Sequence, residues 1–246
     1  VQHPAFGYFS LPDAYFSSII RWQETRHGVT GLKPRHIGYE NGVLGGVISA
    51  LNCICSRGDN VLVHSPTYIG FTSSLKNNGY EAVHSPLVRD ENGIWRMDYA
   101  DMEKQLREKK IHAAILCNPH NPCGRVWERW ELEKAMELYR KYDVYVITDE
   151  VYEHIVYAPH THTYFATLPG MWERTVSCSS LSKTYSVTGW RLGYAIAPQP
   201  IMDRIKQYHD FNTVGAPSPL MEAAVVGLEM PDSYYREFGD HYAHMK

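Results

Sequence analysis

Six short apolar, β-rich runs recur along this chain, and helical patterns separate most of them. The runs are "NVLVH" (60–64), "YEAVHSP" (80–86), "IHAAILC" (111–117), "DVYVIT" (143–148), "RTVSCS" (174–179) and "LGYAIA" (192–197). Helical patterning covers 43–56, 67–78, 98–110 and 128–142, with further helices expected at 13–26, 200–209 and 218–229. Such alternation predicts an α/β sandwich around a mostly parallel sheet. Near-continuous apolar strands such as "YVIT" suit a sheet covered on both faces. With 246 residues, 44% of them hydrophobic, the chain has material for one large core.

In sheets of this kind ligands sit beyond the carboxyl ends of the strands, so the polar strand exits are where chemistry is expected. Three of them stand out: "NPHNPCG" after Cys117, "DEVY" after Thr148 and "SLSK" after Ser179. They carry Asn121, Asp149 and Lys183. Singly, each has an ordinary structural explanation: a turn, a helix cap, a solvated lysine. Together, in this order, they form a constellation. Lys183 sits among hydroxyl-bearing residues, with Ser180 and Ser182 just before it and Arg191 eight positions after it.

Several function classes find no support in composition. A formal net charge of −3 gives no basic footprint, so nucleic acid is not an expected partner. No apolar run approaches the roughly 18 residues of a membrane span. The opening "VQHPAFGYFSLPDAYF" does not read as a signal peptide. Five cysteines, an odd number in mostly apolar settings, read as reduced thiols of a cytoplasmic protein. Cys53-x-Cys55 lacks a second ligand pair, and the thirteen histidines show no metal-ligand spacing, so no metal is expected. His160 and His162 read as a solvated loop.

The motifs at 118–124, at Asp149-Glu150-Val151-Tyr152 and from Ser180-Leu181-Ser182-Lys183 to Arg191 resemble, in sequence order, those of the fold type I pyridoxal-phosphate (PLP) enzymes, specifically the class I/II aminotransferases. "SRGDNVLVHSPTY" (56–68) is similar to that family's stretch leading to its ring-stacking aromatic. The likeness runs over nearly the whole chain. Residues 3–142 lean towards the cystathionine β-lyase-type C–S lyases. Residues 149–246 lean towards aminotransferases of the aspartate and kynurenine type, so a mosaic with a junction near 143–153 is one expectation.

The resemblance implies a role for each residue. Lys183 would hold the PLP aldehyde as an imine, and once released would move the α-proton. Asp149 would keep the pyridine nitrogen protonated. Asn121 and Tyr152 would donate to the phenolate oxygen, and Tyr68 would stack on the ring. Gly42, Val43 and Leu44 would open a helix onto the phosphate, with Ser180, Ser182 and Arg191 completing the cradle. Tyr8 would reach the phosphate of a neighbouring subunit, which implies a homodimer.

The implied fold is a three-layer PLP-dependent transferase large domain over 1–246, with the family's smaller domain largely absent. Residues 1–27 would form an N-terminal segment and helix contacting the dimer partner, and 230–246 the start of the C-terminal segment. No position matches the family's carboxylate-clamping arginine. The implied activity is amino-group transfer between small amino acids and 2-oxo acids. The alternatives are β-elimination from sulfur amino acids and a PLP-binding scaffold with little turnover. A DNA-binding regulator is disfavoured, since no helix-turn-helix partner is visible.

Overall fold

The computed structural model describes residues 9–245. Its eight strands, in chain order, are β1 (Ile37–Glu40), β2 (Asn60–Ser65), β3 (Glu81–Arg89), β4 (Trp95–Met97), β5 (Ile111–Cys117), β6 (Tyr145–Asp149), β7 (Thr175–Ser180) and β8 (Gly193–Ile196). They form one sheet in the order β1-β8-β7-β6-β5-β2-β3-β4. The central run β3-β2-β5-β6-β7 is parallel. The edges are antiparallel: β8 against β7, β1 against β8, and β4 against β3.

Eight α-helices accompany the sheet among the described residues: α1 (Asp13–His27), α2 (Val43–Ile54), α3 (Ile69–Asn77), α4 (Tyr99–Lys109), α5 (Arg129–Lys141), α6 (Gln199–Thr213), α7 (Ser218–Leu228) and α8 (Asp232–Met245). Their placement follows from strand alternation, which sends successive side chains to opposite faces. Val61, Val63, Ala113, Ile115, Ile147, Val176 and Cys178 pack with α2, α3 and α6 on one face. The residues between them, Leu62, Ala114, Leu116 and Val146, pack with α4 and α5 on the other. On that second face α1 and α7 cover the β1–β8 end through Tyr15, Ile19, Trp22, Met221 and Ala224. The result is the expected three-layer sandwich, with a core on each side of the sheet.

The helix ends obey local chemistry. Asp98 caps α4 by accepting from the N–H groups of Ala100 and Asp101. Glu128 and Glu131 form a reciprocal capping box at the start of α5. Helix α1 ends at Gly28, whose left-handed backbone (φ 66°) returns hydrogen bonds to the last turn. No helix among the described residues is long and apolar enough to cross a membrane.

Most expected elements are found within a few residues of their predicted bounds. Three are additional: β1, β4 and α8. One local reading is corrected. His160 is exposed as expected, but the His162 side chain is only 3% exposed, because it pairs with the buried Glu150.

Candidate active site

The cleft lies at the carboxyl ends of β6 and β7, beside the N-terminus of α2. Gly42, Val43, Leu44, Tyr68, Asn121, Asp149, Tyr152, Ser180, Ser182, Lys183 and Arg191 all line it. Eleven of the twelve residues singled out from the sequence therefore meet in one place. The twelfth, Tyr8, lies outside the described residues.

The α2 end is built for an anion. Gly42 precedes the helix with no side-chain cap, so the first N–H groups of α2 have no partner within the helix. Its backbone (φ 80°, ψ 171°) belongs to a region that only glycine occupies comfortably. Space imposes the same choice. A Cβ at Gly42 would stand 2.1 Å from Arg191 Nη2, and one at Gly193 would stand 2.8 Å from Gly42 Cα.

Arg191 comes from the loop between β7 and β8. Its guanidinium donates to Thr188 O (3.0 Å) and Asn41 O (2.8 Å), which bridges that loop to the turn before α2. Tyr39 OH holds the Arg191 carbonyl at 2.9 Å. The remaining guanidinium N–H donors stay available on an exposed group.

The two serines are already engaged. Ser180 Oγ donates to Leu192 O (2.7 Å), so Ser182 Oγ must donate in their 2.7 Å contact. Their protons are thus committed to the protein. Among the described residues at the α2 end, the donors left for an anion are the α2 N–H groups and Arg191, and Ser182 would join them only by rotating its hydroxyl.

Asp149 sits at the end of β6 and is 6% exposed. Its backbone carbonyl accepts from Asn118 N (2.9 Å), which ties β6 to the asparagine–proline loop. Its Oδ1 accepts from Val151 N (3.1 Å), and no hydrogen bond from the described residues engages Oδ2. Burial pushes this carboxyl up to about 7, with Glu150 adding to the shift, while the Val151 N–H and Lys183 act against it. A carboxylate desolvated to this degree favours a cationic partner in the cleft. Lys183 is partly buried, with Nζ 6.0 Å from the centre of the Tyr152 ring. Tyr68 stands at the head of α3, edge-on to Phe71 (5.5 Å) and partly open to the cleft.

Two lining residues escaped the sequence reading, Val151 and Thr188. Val151 acts by its N–H to Asp149, and Thr188 chiefly by its carbonyl to Arg191, its hydroxyl also donating to Ser182 O (3.4 Å). Side-chain chemistry gives no sign of such roles. Position did: each lies within four residues of a residue already singled out.

The profile of the aminotransferase class I and II family matches residues 6–245. The bifunctional aspartate aminotransferase and glutamate/aspartate-prephenate aminotransferase of Petunia hybrida is 38% identical over 196 residues, or 79% of this chain and 40% of its own length. Cystathionine beta-lyase PatB of Bacillus subtilis (strain 168) is 32% identical over 208 residues, or 84% of this chain and 52% of its own. Among solved structures, cystalysin from Treponema denticola, which contains pyridoxal 5'-phosphate, superposes with a TM-score of 0.88 at 25% identity, covering 95% of this chain and 59% of that one. The chain thus spans about half the length of the curated relatives it matches. A matched profile over almost every residue, with the strand-end constellation gathered in one cleft, makes this chain a member of the class I and II aminotransferases.

Proposed function

We propose that this chain binds PLP and supports amino-group transfer between amino acids and 2-oxo acids. The observation that carries the reading is the convergence of Lys183, Asp149, Arg191 and the uncapped end of α2 on one cleft. The cleft's donor set fits the cofactor. The α2 N–H groups and Arg191 would hold the phosphate. Tyr68 would cover one face of the ring. Asn121 and Tyr152 would donate to the phenolate oxygen. Asp149 Oδ2, on a largely buried residue and without a hydrogen bond to the described residues, matches a protonated pyridine nitrogen, each charge stabilising the other.

Bound there, PLP supplies an electron sink for the charge left on an amino acid's Cα when its proton departs. The protein supplies the rest. Lys183 Nζ would hold the cofactor aldehyde and, once freed, would be the base that moves the Cα proton. Asp149 would keep the ring nitrogen protonated. Tyr68 and Tyr152 restrict where the ring can sit.

The second reading is β-elimination from a sulfur amino acid. Its support is the likeness to a cystathionine beta-lyase over 84% of the chain. Both reactions use the same proton movement by Lys183 and part only afterwards. Assembly as a homodimer, with Tyr8 reaching a neighbouring phosphate, belongs to the same proposal, as does residence in the cytoplasm, where the unpaired cysteines would stay reduced.

Product analysis tests the reading. The protein is supplied with PLP, an amino acid and a 2-oxo acid. Transfer yields a new amino acid without free ammonia. Elimination from cystathionine yields ammonia and a thiol. A protein that takes up PLP and does neither contradicts the catalytic reading and leaves the binding scaffold.

A further inference from the structure

On the opposite face of the sheet from Asp149, a second polar cluster is sealed inside the protein. Thr148 faces away from Asp149, and its hydroxyl donates to Glu150 Oε1 (2.6 Å), which holds the Glu150 side chain on that face. Glu150 Oε2 contacts His162 Nε2 at 2.6 Å. Three residues on, Glu153 accepts from Ser179 Oγ of β7 through Oε1 (2.8 Å). Two further imidazoles reach Glu153. His154 Nε2 lies 3.1 Å from Oε1, and His27 Nε2, from the last turn of α1, lies 3.2 Å from Oε2.

The His27–Glu153 contact is unusual. Both atoms are buried and 3.2 Å apart, yet neither meets the geometry of a hydrogen bond to any described residue. Glu153 has no exposed side-chain surface, and the His27 side chain is 6% exposed. Two ligands of a tetrahedral zinc ion, each about 2.0–2.1 Å from the metal, stand roughly 3.3 Å apart. His154 stands at about that spacing from Glu153 Oε1 (3.1 Å) and His27 from Oε2 (3.2 Å), so the carboxylate presents one oxygen to each ring. Ligand atoms of His27, Glu153 and His154 all lie within 4.8 Å of one another.

Charge points the same way. Glu150 and Glu153 bury two carboxylates, and such charges are retained only when paired or bound to metal. One divalent cation would balance both charges.

We propose that His27, Glu153 and His154 form a site for one divalent cation of the zinc class, bordered by Glu150 and His162. Two imidazoles and a carboxylate suit zinc better than calcium or magnesium, which favour all-oxygen sites. The ion would pin the end of α1 to the segment after β6, directly behind the peptide that carries Asp149. Its role is structural and independent of whether the cleft holds PLP.

The test uses tag-free protein treated with chelator, then titrated with zinc and, as a spectroscopic probe, cobalt(II). The expected result is one equivalent per chain, with a four-coordinate cobalt spectrum free of thiolate bands. Glu153→Gln keeps the shape and removes the charge. It should weaken zinc binding by more than the roughly 10–100-fold typical of losing an outer partner. No stoichiometric uptake by the wild type overturns the proposal. So do a thiolate band, which would put the ion on cysteines, and unchanged affinity in Glu153→Gln. Should that variant not fold, anomalous scattering from zinc-soaked wild-type crystals decides. A peak among His27, Glu153 and His154 supports the site, and a peak elsewhere or none refutes it.

Discussion

The guanidinium of Arg191 lies directly over Gly42. Nη2 donates to Asn41 O at 2.8 Å, and a methyl group on Gly42 would come within 2.1 Å of that nitrogen. The two residues stand 149 positions apart, yet each determines what the other can be. Glycine alone leaves room for the guanidinium, and the guanidinium ties the turn before α2 to the loop that follows Lys183.

Gly42→Ala should therefore damage the cleft from two directions. The backbone there is strained for any residue with a Cβ, at a cost of about 1–3 kcal/mol. The methyl also displaces Arg191 from the anion-binding end of α2. Chemical denaturation should show reduced stability, and titration should show weaker PLP binding. A variant matching the wild type in both would mean that this turn does not shape the site.

Arg191→Leu should spare the fold and weaken the phosphate grip. Arg191 is exposed, so its loss costs less than breaking a buried ion pair. Hydrogen bonds to a charged group contribute about 1.5–3 kcal/mol. That corresponds to roughly ten- to a hundredfold in PLP affinity. Fluorescence titration checks this, and unchanged affinity would show that Arg191 only braces the loop.

Asp149 is predicted to weaken the cofactor-free protein. Its carboxyl, raised from 3.8 to about 7 chiefly by burial, keeps its proton longer in the folded state than in the unfolded one. Its contribution to stability therefore falls as pH rises from about 4 to about 7, by up to about 4 kcal/mol. Asp149→Asn lacks this dependence. Without cofactor it should be more stable than wild type at pH 8 and less distinguishable at pH 4, while losing most of its turnover with PLP. Urea unfolding at the two pH values checks the first part. A difference that does not change with pH would contradict the desolvated carboxylate.

The legible parts of this molecule are those where local patterning and tertiary need agree. The strands that feed the cleft are apolar on both faces because helices cover both, and their polar exits stood out for that reason. Strand β1 is as short as β8 but, as "IGYE", lacks the apolar run "LGYAIA" that marked β8, and β4 has only three residues and follows a tight turn. Helix α8 buries none of its residues, so no core demand marked "DSYYREFGDHYAHM" as a helix of the fold. The Glu153 cluster could not be read from spacing. His27 and Ser179 reach Glu153 from 126 positions before and 26 after, and only the sheet brings them together. The commitment of the Ser180 and Ser182 protons to Leu192 O and to each other was equally hidden, since it depends on how β7 meets β8.

The central claim is that Lys183 Nζ is the amine that holds the cofactor. Its most direct test is to reconstitute the protein with PLP, reduce with borohydride, digest it and locate the modified peptide by mass spectrometry. The account predicts one adduct per chain, on the peptide containing Lys183. Lys183→Ala should lose that adduct while still binding PLP non-covalently through Arg191 and the α2 terminus. A stoichiometric adduct on another lysine, or one that persists in Lys183→Ala, would contradict it.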